Sequence, residues 1–253
     1  MTNLKSIIML LVGAMIIWNG AARADQELIV SAAASLTNAL KEVAGQFEKT
    51  HPGTKILCNF AASGSLLQQM AHGAPVDVFA SADQKTMNQA QEKGLILPAS
   101  RKNFVSNNLV LIKPLDSQLA LGGLKDLTKP EVKRVAVGNP ATVPAGRYTK
   151  EALVKAGLWD QLMPKFIMAE SVRQVLDYVG RGEVDTGFVY STDAAIARGK
   201  VKVMQTVEAH APILYPLAVT AATEKQALAQ SFLDFILSPA AQEIFKRYGF
   251  GPA

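Results

Sequence analysis

Short apolar runs alternate with segments of helical periodicity along nearly the whole chain, and the handovers from run to helix are filled by alanine, serine and glycine. LIVSAA (28–33) reads as a buried strand. Ser35-Leu36-Thr37-Asn38 then opens a helix to about Lys49, with Leu36, Leu40, Val43, Ala44 and Phe47 on one face, and His51-Pro52-Gly53 stops it. A strand at 55–60, a helix at 64–72, a strand at 76–80 and a helix at 83–93 continue the pattern, which predicts a parallel sheet covered by helices. After a strand at 107–112, a second series follows: strand 134–137, helix 148–156, strand 166–169, helix 172–180 and strand 186–190. Strands at 201–207 and 214–220 and two helices at 225–237 and 239–248 complete the chain. No linker separates the two series, so the expectation is an α/β protein of two lobes joined by crossing strands near 105–109 and 215–219. Lobe 1 would be discontinuous (25–106 and 217–253) and lobe 2 would span 107–216.

The first 24 residues stand apart. Lys5, an apolar run at 7–18 and Gly20-Ala21-Ala22-Arg23-Ala24 form the charged, apolar and small-residue parts of an export signal, cut after Ala24. The run is shorter than the ~20 residues needed to span a bilayer. Its removal takes Lys5 and Arg23, and no acid, from the formal net charge of +5. The mature protein is expected outside the cytoplasm, not membrane-spanning, and no cysteine follows the cut to carry a lipid. With 49% hydrophobic and 19% charged residues, a disordered chain is excluded. Cys58 is the single cysteine, which excludes an internal disulfide and a cysteine zinc cluster. Basic residues are scattered among acids, so nucleic acid is not an expected partner.

Enzyme chemistry finds little support. His51, His72 and His210 are widely spaced and form no metal motif, and GxSxG, SxxK, GxxxxGK[ST] and GxGxxG are missing. Asp77, Asp83, Asp185 and Asp193 lie at strand ends, where capping is the ordinary role. What stands out is small polar residues where strands hand over to helices, the place where open α/β sheets bind ligands. AAASLTN (32–38) and FAASGSL (60–66) are two such turns, offering Ser35 and Ser63, a close backbone approach at Gly64 and the unpaired amides of helix N-termini, which suit an anion. The alternative is that both serines only cap their helices. The second series adds VPAGRY (143–148), ESVR (170–173) and Tyr190 at a strand end, which points either into a cleft or into the packing of its own lobe.

AAASLTNAL (32–40), GAPVDVFASAD (73–83), VGNPATVPAGRY (137–148) and FKRYGF (245–250) together resemble the periplasmic molybdate-binding proteins of ABC importers, over essentially the whole mature chain. The resemblance implies a two-lobed periplasmic binding protein fold, each lobe a mostly parallel sheet flanked by helices, with a tetrahedral oxyanion between the lobes. It implies Ser35 and Ser63 as ligands from the first lobe, and Ala145, Val172 and Tyr190 from the second, Ala145 and Val172 through backbone N–H groups. Ala62 and Gly64 stand where relatives often have further serines, with Ser65 the substitute for Ser63, and Asn139 stands where aspartate is common. Molybdate, or tungstate, would be the only metal species, held by these same residues, with no cofactor and no catalysis. The partner would be an ABC permease, and the protein would act as a monomer. Arg147 and Arg173 are expected on a helix face or the lobe rim, where they would steer anions. The rival readings are a receptor for another oxyanion such as sulfate and, in a different class, an exported serine hydrolase using Ser35 or Ser63.

Overall fold

The computed structural model describes residues 26–253; the export signal read at 1–24 lies outside the described residues. The chain begins with β1 (Gln26–Ala33), a 3-10 turn (Ala34–Leu36), α1 (Thr37–Thr50), β2 (Thr54–Ala61), α2 (Ser63–Ala71), β3 (Val78–Ala80), α3 (Gln84–Glu92) and β4 (Lys102–Asn107). It continues with β5 (Leu109–Pro114), β6 (Val135–Gly138), α4 (Pro144–Lys155), α5 (Trp159–Leu162), β7 (Phe166–Ala169), α6 (Val172–Gly180), β8 (Thr186–Tyr190), α7 (Ser191–Ile196) and β9 (Val201–Val207). It ends with β10 (Ile213–Val219), α8 (Gln226–Leu237) and α9 (Pro239–Arg247).

The strands form two five-stranded sheets of one plan, β2-β1-β3-β10-β4 and β7-β6-β8-β5-β9. In each, three parallel strands are followed by one antiparallel strand and then by a strand pointing with the first three. The mostly parallel, two-lobed α/β architecture is thus present. The central strands β5 and β8 are buried along their length, as expected of strands covered on both faces.

The chain crosses between sheets twice, once at Asn108 between β4 and β5, and once in residues 208–212 between β9 and β10. The second crossing therefore precedes the expected 215–219. Ile213, Leu214, Tyr215 and Pro216, placed in lobe 2 by the sequence, pair with β4 in the first sheet. The reason is local. Pro216 does not end the strand, because a register shift between Tyr215 and Pro216 accommodates the missing N–H, while the break falls at Ala209, in the left-handed region at φ 64°, and at Pro212. Asn107 likewise closes β4 and belongs to the first sheet, and β4 itself was hidden in the sequence behind the apolar run of β5.

The C-terminal helices return to the first lobe, α8 against β10 and α9 against α1. Phe47 of α1 meets Phe232 and Phe235 of α8 at ring separations of 5.0 and 5.4 Å. In the second lobe, the start of α4 is pressed onto the end of β6: a Cβ at Gly146 would lie 1.8 Å from the Gly138 carbonyl oxygen. No side chain fits there without separating helix from strand. Gly146→Ala is expected to destabilise the protein by about 1–3 kcal/mol or more, measured as a lowered urea midpoint with an unchanged m-value.

Candidate functional site

Ser35 sits at the end of β1, in the 3-10 turn that leads into α1, and Ser63 opens α2 directly after β2. Neither serine caps its helix: no side-chain cap bond is made at the start of α1 or of α2. Both hydroxyls turn instead to the gap between the lobes, and both oxygens already have a partner. Ser63 Oγ accepts from the Ala82 backbone N–H at 3.0 Å. Ser35 Oγ lies 2.9 Å from the Tyr215 hydroxyl. The serines are 3% and 0% exposed.

Facing them from the second lobe are the N-termini of α4 and α6 and the last residue of β8. Together these surround a small cavity lined by Ser35, Ser63, Ala145, Val172 and Tyr190 among others. The remaining lining residues are Ala33, Ala34, Ala61, Ala62, Ala82, Val143 and Pro144. None carries a charged side chain, and the alanines keep the walls close. Amides in the first turn of a helix have no carbonyl partner within it, and Ala145 and Val172 lie in the first turns of α4 and α6. Two helix N-termini converging on one cavity give it partial positive charge without a cation. The Tyr190 hydroxyl is fully buried and has no hydrogen-bond partner among the described residues, and burial pushes its pKa well above the ordinary range, so it remains a neutral donor. Ser65, by contrast, is not among the lining residues.

The two arginines lie on helices α4 and α6, but they bridge to the first lobe and do not stand free to steer anions. Arg147, from α4, donates through Nε to Asp83 Oδ2 at 2.7 Å and through a terminal nitrogen to Thr86 Oγ1 at 2.7 Å, both in the first lobe. Asp83 also caps α3 by accepting from the Thr86 N–H at 3.1 Å. Arg173, from α6, reaches Asn38 Oδ1 at 2.9 Å and the Ser35 carbonyl at 3.3 Å, again in the first lobe. Behind it, Asp193 lies in charge contact with Arg173 Nε at 2.5 Å. Asp193 is fully buried, and desolvation pushes its carboxyl up to about 6 against the pull of Arg173. The planar guanidinium fork suits such bridging of fixed acceptors better than exposure at a rim. A backbone bond completes the contact, from Gly64 N–H to the Thr142 carbonyl at 2.9 Å. The lobes are closed on one another.

Residues 28–251 match the family of bacterial extracellular solute-binding proteins. The chain belongs to this family. It is 43% identical to the molybdate-binding protein of Escherichia coli K12, with 91% of each chain covered. The periplasmic molybdate-binding protein of Azotobacter vinelandii superposes with a TM-score of 0.78 at 28% identity, covering 89% of this chain and 99% of that one. The sulfate-binding protein of Mycobacterium tuberculosis shares the fold, with a TM-score of 0.81 at 17% identity, covering 90% and 87%. A solute-binding protein has a transport role rather than a catalytic one. Among the described residues, no helix is long and apolar enough to cross a membrane, and no group of three or more His, Cys, Asp or Glu could hold a metal ion.

The structure brings Ser35, Ser63, Ala145, Val172 and Tyr190 around one cavity. Sequence reasoning missed Ala82, which is part of the lining, and Asn107, Tyr215 and Thr142, which act behind it or between the lobes. Tyr215, a fully buried phenol in an otherwise apolar strand, was the one visible signal. A Cβ at Gly64 would fall 2.6 Å from the Thr142 carbonyl oxygen. Gly64→Ala is therefore expected to hold the solute-loaded lobes apart and to weaken solute binding by about 1–3 kcal/mol. Spin labels placed one on each lobe would read the separation, which should exceed the wild-type distance.

Proposed function

We propose that this solute-binding protein captures molybdate outside the cytoplasm and hands it to the permease of an ABC importer. The observation that carries this reading is the Tyr190 hydroxyl, buried and unpartnered, opposite two serines whose oxygens are already occupied. A buried donor without an acceptor costs about 1–3 kcal/mol, and a fully ionised tetrahedral oxyanion supplies acceptors only. Ser35, Ser63 and Tyr190 would donate through hydroxyls, and Ala145 and Val172 through backbone N–H groups. Among the described residues, no carboxylate lines the cavity to repel such a dianion.

Capture proceeds by hinge closure. The anion first meets the serine turns of the first lobe. The N-termini of α4 and α6 then swing onto it, and the closed form is what the permease recognises. Size and protonation set the choice: sulfate is smaller and leaves the donors out of reach, whereas tungstate has nearly the shape of molybdate. Hydrogen phosphate carries a proton that finds no acceptor. The molybdenum of the cargo would be the only metal species, with no cofactor required. The protein would be exported with its signal cut after Ala24 and would act as a monomer. A hydrolase is disfavoured because the groups touching the serine oxygens, a phenol and a backbone N–H, are no general base.

Titration calorimetry with molybdate, tungstate, sulfate and hydrogen phosphate tests the proposal. Tight binding of the first two is expected, and tight sulfate binding without molybdate binding would overturn it. Ser35→Ala, Ser63→Ala and Tyr190→Phe should each lose about 1–3 kcal/mol of molybdate affinity, since each removes one donor to a charged ligand. Wild-type affinity in all three would reassign these hydroxyls to packing.

A further inference from the structure

The crossing between the lobes contains an amide whose hydrogen bonds are all used. Asn107, the last residue of β4, is buried. Its oxygen accepts from the Asn108 backbone N–H at 2.9 Å and from Ser191 Oγ at 2.9 Å. Its nitrogen donates to Thr192 Oγ1 at 2.9 Å and to the Tyr215 hydroxyl at 3.2 Å. A backbone N–H can only donate, so the atom facing Asn108 must be the oxygen, and the amide has one orientation. It follows that the Tyr215 oxygen receives a hydrogen from Asn107. Its own proton then goes to the acceptor at 2.9 Å, Ser35 Oγ.

The geometry points to Asn107 and Tyr215 as positioning residues that force Ser35 to act as a donor into the anion cavity. With its oxygen filled by Tyr215, the Ser35 hydroxyl proton is left to point at the ligand, as the Ser63 proton is once Ala82 N–H has filled that oxygen. Tyr215 is held for this task by rings on several sides: Phe104 at 6.4 Å, Phe250 at 5.6 Å and Tyr190 at 5.8 Å between centroids. Through Ser191 and Thr192, which directly follow Tyr190, the same amide ties the chain crossing to both a first-lobe and a second-lobe hydroxyl of the site. This inference rests on the anion-binding reading above.

A double-mutant cycle on the full mature protein, with molybdate as the probe in calorimetry, tests it. Tyr215→Phe keeps the ring and removes the hydroxyl, so molybdate affinity should fall at least about tenfold. In a Ser35→Ala background the same change should cost less than about twofold, because the hydroxyl it orients is gone. A purely structural role for Tyr215 would cost the same in both backgrounds and would overturn the inference. Asn107→Asp provides a second cycle. Its carboxylate would take the Tyr215 proton and turn the chain around, so that Ser35 donates to Tyr215 and shows the anion a lone pair. Any repulsion from the new charge acts in both backgrounds and cancels, and the remaining coupling to Ser35 should be at least about fivefold. Additive losses in both cycles refute the relay while leaving the molybdate reading intact. A wild-type protein that binds no molybdate refutes the reading itself.

Discussion

A dry pocket that selects an anion by hydrogen bonding must leave none of its own oxygens free to face it. Every lone pair turned inward repels the ligand, and little water is present to soften the repulsion. The rest of the site follows from meeting that condition. At Ser63 it is met by a backbone N–H, which has no alternative role. At Ser35 it is met by side chains in series, each of which can be turned either way unless something anchors the series. The anchor is the Asn108 N–H, and the aromatic packing around Tyr215 keeps the series in line. The Tyr190 hydroxyl is the exception: it has no partner among the described residues, so its proton is uncommitted and can turn to the ligand.

The repeated sheet plan brings these groups into one place. In both lobes the strands that point the same way deliver their carboxyl ends to the gap, and in both the chain turns there into a helix. The first lobe offers mainly side-chain hydroxyls and the second mainly helix amides. Close approach is then a matter of small residues. The Gly138–Gly146 contact sets α4 against its strand, and Gly64 admits the Thr142 carbonyl from across the gap. Alanines line most of what remains.

Much of this was legible in the chain. The strand-helix alternation gave nearly every element of the two sheets, because strands covered on both faces are almost uninterrupted apolar runs. The serine turns, the start of α4, the start of α6 and Tyr190 were visible as small polar residues at strand ends. What stayed hidden depended on partners distant in sequence. Whether Ser35 caps a helix or faces a cleft turns on Tyr215, which lies 180 residues away. The FKRYGF segment was visible only as a resemblance; its Phe245 and Phe250 pack with Phe104 and Tyr215. The bridging role of the arginines stayed hidden for the same reason, since Asp83 and Asn38 belong to the other lobe. The second crossing was placed too late because the break that makes it, around Ala209 and Pro212, is short and lies between two apolar runs.

Arg147 and Arg173 join lobe to lobe, and their hydrogen bonds reach across without entering the cavity. They therefore favour the shut form by the same amount whichever anion lies inside. Contacts that do not distinguish between ligands cannot shift the ratio of their affinities. They do lengthen the residence time of every captured ion, because both must part before any ion leaves. Discrimination and dwell are thus assigned to different residues, and one can change without the other.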